Sequence, residues 1–118
     1  MELKFTNKSS SYYIEKIIKD IKFVLDHALK VGLERFCSDE VLNNAVSFKF
    51  IQISENVKKL PKTLMEQNGD IPWFKISGLR NKIVHDYGSI QLEIIYDTIV
   101  NDLPDLLFKL ESLLEITA

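Results

Sequence analysis

Ser77-Gly78-Leu79-Arg80-Asn81-Lys82-Ile83-Val84-His85-Asp86-Tyr87-Gly88 is the stretch around which this chain is organised, and it reads as helix. Taking Arg80 as the origin and about 100° per residue, Ile76, Leu79, Ile83 and Ile90 fall together between about −40° and −100°. They form an apolar stripe suited to a core. Arg80, Asn81, Val84, His85 and Tyr87 occupy the neighbouring arc, from about −20° to 140°. Lys82 and Asp86 point elsewhere. Asn81 and His85 are one turn apart, so their side chains can meet. Val84 is apolar within a polar arc. If the arc faces a two-fold axis, Val84 packs on its own copy and two motifs share one cleft.

Working outward, Ile71-Pro72-Trp73 opens the motif helix, with proline where no amide donor is needed. Gly78 marks a kink or a close backbone approach. Trp73 reads as core and as an anchor for the preceding loop. That loop carries the turn signal Asn68-Gly69-Asp70 after a short helical segment. Farther upstream, Ser38-Asp39-Glu40 starts a helix that could run to Leu60, where Pro61 stops it. Its apolar residues cover most of the circumference. That pattern belongs to a helix buried from several sides, or one with a face against another subunit. Glu55 and Asn56 are its notable polar groups. The first helix begins at Ser9, Ser10 or Ser11 and carries Ile14, Ile17, Ile18, Ile21, Val24, Leu25 and Ala28 on one stripe. Gly32 is the candidate left-handed residue at its end. His27 lies off the stripe and faces solvent. Residues 1–8 read as a loose arm. Downstream, Leu92 through Leu114 keeps a helical period, and Pro104 should bend that helix near Asn101-Asp102 or split it into two collinear pieces. Nothing alternates as a strand. The expectation is one all-α domain over residues 1–118, an up-and-down bundle of four to five helices.

Composition agrees. The 118 residues suit one core, and hydrophobic residues at 46% with charged ones at 27% describe a globular chain. No apolar run reaches membrane-span length, and the start lacks the apolar stretch of a secretory signal. The single cysteine, Cys37, excludes a disulfide framework, reads as a small apolar filler, and fits a reducing cytoplasm. No residue spacing suggests a metal site, and no cofactor is expected. The net charge of −2 is unevenly spread. Residues 49–82 hold seven basic against three acidic side chains, +4, whereas residues 86–118 hold one against seven, −6. The positive part leads into the motif, where a polyanion would be held, and is equally readable as a lysine-rich solvated face.

The residue types specify a chemistry. Cleaving RNA without metal needs a base for the 2′-hydroxyl, an acid for the leaving 5′-oxygen, and a cation for the charge growing on phosphorus. Histidine titrates near neutrality and serves as base or acid. Arginine grips phosphate with a planar fork and stays charged. Asn81 orients His85 or donates to phosphate. Tyr87 stacks on a base or hydrogen-bonds to phosphate. Lys75, Lys82, Lys58 and Lys59 would attract the RNA backbone. One histidine per chain falls short of an acid–base pair, and a dimer supplies the second. The same side chains on a helix flank also make ordinary interhelix hydrogen bonds.

The motif Arg80-Asn81-Lys82-Ile83-Val84-His85-Asp86-Tyr87 resembles the R-x4-H-x-Y signature of HEPN-domain proteins, and more narrowly that of the HepT-like toxins. The resemblance spans roughly residues 12–110. Asp70-Ile71-Pro72-Trp73 followed by Ile76 and Gly78-Leu79-Arg80-Asn81 is similar to the family's run, as are Ala45-Val46 to Gln52-Ile53-Ser54-Glu55 and Asp102-Leu103-Pro104. Ser54 stands where relatives usually carry glycine. The resemblance implies a HEPN-like helical bundle acting as a homodimer or higher oligomer. It implies a metal-independent endoribonuclease toxin with Arg80 and His85 as its core and Asn81 in support. It also implies an MntA-like nucleotidyltransferase antitoxin that transfers AMP onto Tyr87. A bulky anionic adenylate there would fill the cleft and repel RNA phosphate. Some members of the family were regarded as non-catalytic accessory partners of nucleotidyltransferases, which is the alternative role.

Overall fold

The structure, a computed structural model, describes residues 9–84 and 91–117, the side chains of Lys82, Val84, Ile116 and Thr117 excepted. All regular structure among them is helical: α1 (Ser10–Ala28), a 3-10 turn (Leu29–Val31), α2 (Gly32–Ser38), α3 (Glu40–Val57), α4 (Lys62–Gln67), α5 (Trp73–Ser77), α6 (Leu79–Val84), α7 (Leu92–Asn101) and α8 (Leu103–Thr117). The expected arm, residues 1–8, lies outside the described residues.

The stripe read on α1 is buried. Ile14, Ile17, Ile21, Val24 and Ala28 lose all access to water. They pack on α3 on one side and α8 on the other. Ser9 caps α1 by accepting the Tyr12 amide on its hydroxyl at 3.3 Å. The helices α1 and α3 run antiparallel, because Lys49 reaches Asp20 at 3.1 Å while Lys59 sits over the Tyr13 ring. Lys22 meets Glu111 at 3.1 Å and the Tyr96 hydroxyl donates to the Leu29 carbonyl at 3.0 Å, so the line α7–α8 also opposes α1.

Three expectations for the elements change. The first helix ends at Ala28, and Gly32 (φ 87°, ψ 165°) joins the 3-10 turn to α2 instead of capping α1. Only the positive φ calls for glycine there. The second long helix stops at Val57, three residues before Leu60. Lys59 and Leu60 make tight bonds to the carbonyls three residues back, since Pro61 excludes the helical conformation before it. The helix is also not buried all round. Val46, Phe50, Ile53 and Val57 form one buried line, while Val41 and Phe48 are 82% and 58% exposed. The division of the last helix at Asp102 follows the expectation from Pro104.

Candidate functional site

The motif helix is two short helices, α5 and α6, with a bend at Gly78. Pro72 precedes α5, and Trp73 is its first residue, nearly buried. The Trp73 indole donates to the carbonyls of Met65 (3.2 Å) and Asn68 (3.0 Å), which fastens the turn before the helix. Ile76, Leu79 and Ile83 are buried as the angle count requires. Ile90, the fourth member of that stripe, lies outside the described residues.

A side chain from α3 sits at the bend. The Ser54 hydroxyl, fully buried on α3, donates to the Ile76 carbonyl at 3.2 Å and accepts the Arg80 amide at 3.0 Å. Those two backbone groups are the pair that an unbroken α-helix would join directly. A side chain of one helix is thereby inserted into the hydrogen-bond ladder of its neighbour, which is a recognised source of kinks. Gly78 supplies no unusual conformation. Its φ of −84° is helical, and an added Cβ would meet the Phe74 carbonyl oxygen at 3.4 Å, an ordinary contact. From sequence alone Gly78 marks a kink or a close backbone approach. The serine bonded across the break lies 24 residues upstream of it.

Arg80 sits just past the bend, half-buried, with Asn81 exposed beside it. Its Nε faces the Glu55 carboxylate at 3.8 Å, and the Lys58 ammonium reaches the same oxygen at 3.6 Å. Both distances exceed a charge-assisted hydrogen bond, so the three groups form a loose, solvated cluster. Consecutive residues of α3 thus address Arg80 twice, Ser54 at the backbone and Glu55 at the guanidinium.

The other candidate residues disperse. Lys75 pairs with Asp102 at 3.2 Å, toward the junction of α7 and α8. Lys59 lies over the Tyr13 ring at 5.7 Å, near the start of α1. Among the described residues, Lys58 is the candidate lysine that joins Arg80 in one cluster. The Lys82 and Val84 side chains, His85, Asp86 and Tyr87 lie outside what the structure describes. Among the described residues no three His, Cys, Asp or Glu side chains group as metal ligands.

Two side chains beyond the motif bear on the site. From sequence alone Glu55 is a notable polar group without a role, and Ser54 a departure from glycine. Their partners are 22 to 26 residues away, and neither helical spacing nor composition links the two segments. Phe74 was not singled out at all, and it is 92% exposed. On the same angle count it falls at about 120°, within the arc of Asn81. A large apolar side chain bare to water on that arc could have been found by extending the count upstream.

His27 and Cys37 belong elsewhere. The His27 ring is exposed, stacks on Phe23 and hydrogen-bonds the Phe23 carbonyl at 2.9 Å. Burial pushes the Cys37 thiol up from its ordinary range, and the Glu93 carboxylate adds to the effect.

Comparison with known proteins places the chain in a wider group. A family model described as "Ribonuclease HepT-like" matches residues 14–113. A protein of Caldanaerobacter subterraneus subsp. tengcongensis, named "Putative RNase TTE0752", is 32% identical over 92% of this chain and 96% of its own. "Putative RNase MJ0127" of Methanocaldococcus jannaschii is 27% identical over 87% and 85% of the two chains. "Probable ribonuclease HepT" of Thermococcus cleftensis is 26% identical over 90% and 96%. No solved structure matches the chain.

Proposed function

Since the chain belongs to the HepT-like ribonuclease family, we propose that it is a metal-independent endoribonuclease whose site is Arg80, Asn81 and His85. The reading is carried by one observation: Arg80 is firmly held at its backbone and only loosely at its guanidinium. A guanidinium paired to a carboxylate at 3.8 Å exchanges that partner for a phosphate at small cost. Bidentate bonds to two phosphate oxygens then replace a solvated contact. Glu55, released, keeps the ammonium of Lys58 beside the phosphate path.

In this mechanism the Arg80 fork binds the scissile phosphate and gains strength as charge builds on phosphorus. His85 takes the 2′-hydroxyl proton, or protonates the leaving 5′-oxygen, within its neutral titration range. Asn81 orients the imidazole or donates to phosphate. The second imidazole comes from a second copy. A homodimer through the motif face would cover Phe74, which is exposed on the arc. Lys75, Lys82, Lys58 and Lys59 would contribute attraction at longer range.

The biological role proposed is that of the toxin in a toxin–antitoxin pair. An MntA-like nucleotidyltransferase would neutralise it by transferring AMP from ATP to the Tyr87 hydroxyl, releasing pyrophosphate. Support comes from the motif tyrosine two residues after His85. The test is incubation of purified protein with total RNA, in EDTA, beside the His85→Ala and Arg80→Ala variants. Cleavage by wild type and a loss of at least a hundredfold in both variants is the expected result. Equal cleavage by all three would refute the site. No cleavage by unmodified wild type, with tight binding to a nucleotidyltransferase, would establish the accessory role instead.

A further inference from the structure

We infer that Ser54 is the positioning residue of this enzyme: its inserted hydroxyl sets the bend from which Arg80 reaches the substrate. The inference rests on the reading of Arg80 as the phosphate ligand. The geometry is specific. Ser54 is fully buried and bonded on both sides, to the Ile76 carbonyl and the Arg80 amide. Helix α6 resumes with the Asn81 amide bonded to the Gly78 carbonyl at 3.0 Å, a three-residue step that tightens the turn carrying Arg80. Nothing in Gly78 itself requires the bend, since its backbone is helical and a methyl group fits there. Remove the hydroxyl and the ladder has two courses. It leaves a buried amide and carbonyl unpaired, or it closes directly. Direct closure would straighten α5 into α6 and swing the guanidinium away from its present line. The charge on Arg80 is untouched by either course; only its placement is lost.

Placement and binding separate kinetically. The surface lysines hold RNA in the ground state and the transition state alike, whereas a misplaced Arg80 forfeits charge stabilisation that develops only in the transition state. The experiment is steady-state cleavage of a fluorogenic single-stranded RNA of mixed sequence by the full chain. The proteins compared are wild type, Arg80→Ala, Ser54→Ala, Ser54→Thr and Ser47→Ala, the last a buried serine of the same helix. Hydrogen exchange of the Arg80 amide is followed by NMR in each. Ser54→Ala should lower kcat by about tenfold to a hundredfold with KM within about twofold, and should speed Arg80 amide exchange about tenfold or more. Ser54→Thr, which restores the hydroxyl, should recover most of kcat, and Ser47→Ala should match wild type. Wild-type kcat in Ser54→Ala, or an equal loss in Ser47→Ala, overturns the inference. If Ser54→Ala fails to fold, Ser54→Thr and Ser54→Cys carry the test: kcat must be higher with the hydroxyl than with the weakly bonding thiol, and equal values refute it. If Arg80→Ala cuts as fast as wild type, the functional reading falls, while the exchange data still report whether the hydroxyl holds the amide.

Discussion

Asn43 ties the end of α2 to the start of α3. Its buried amide donates to the carbonyls of Phe36 at 3.1 Å and Cys37 at 3.4 Å, which are end carbonyls of a short helix. Asn43→Leu should therefore cost about 1–3 kcal/mol in urea unfolding, because it strands acceptors that are shielded from water. Cys37 beside it makes a second prediction. With its thiol raised by burial and then by Glu93, the thiolate is scarce at neutral pH. Iodoacetamide should modify Cys37 more slowly than a free thiol of ordinary acidity, and Glu93→Gln should speed the reaction. At this scale the sequence was informative where a residue acts on its neighbours. Trp73 anchors the preceding loop, His27 faces solvent and Ser9 caps α1, all within eight residues of their partners. It was silent on the pairing of Ser54 and Glu55 with Arg80, since those bonds cross between helices and leave no periodic trace.

At the scale of elements, α3 departs most from its reading, and the reason is instructive. A helix wheel crowded with apolar residues implies burial only if neighbours cover every side. Here α1, α2, α5 and α6 pack against it yet leave Phe48 and Val41 exposed, while Ser47, Ser54 and Asn43 are buried. Polar burial is legible only once the packing partner and its unpaired backbone groups are known. The bend between α5 and α6 falls at Gly78, which the sequence marks for a kink or a close backbone approach, so the glycine itself is one candidate reason for it. Gly78→Ala tests that reason directly. With a helical backbone and room for a methyl group, the substitution should stabilise the fold by about 0.5–1 kcal/mol in thermal or urea unfolding. A glycine needed for the bend would instead make it destabilising.

For the molecule as a whole, charge and assembly set the expectations. The +4 segment that contains Arg80 and Lys58 predicts salt-sensitive RNA binding. If about three phosphates are contacted, affinity should fall roughly 20-fold between about 50 and 200 mM salt, as read by fluorescence anisotropy. Sedimentation at micromolar concentration should show a dimer, and Phe74→Ser should move it toward monomer. A wild-type monomer would argue against the shared cleft. The inserted serine also carries a consequence in time. Residues 73–84 form a segment too short to hold a stable helix on its own in water. Its working shape appears only after α3 has docked and delivered a hydroxyl from 26 residues upstream. Tertiary assembly thus comes first, and a nascent or loosened chain carries Arg80 without the hydroxyl that holds its amide.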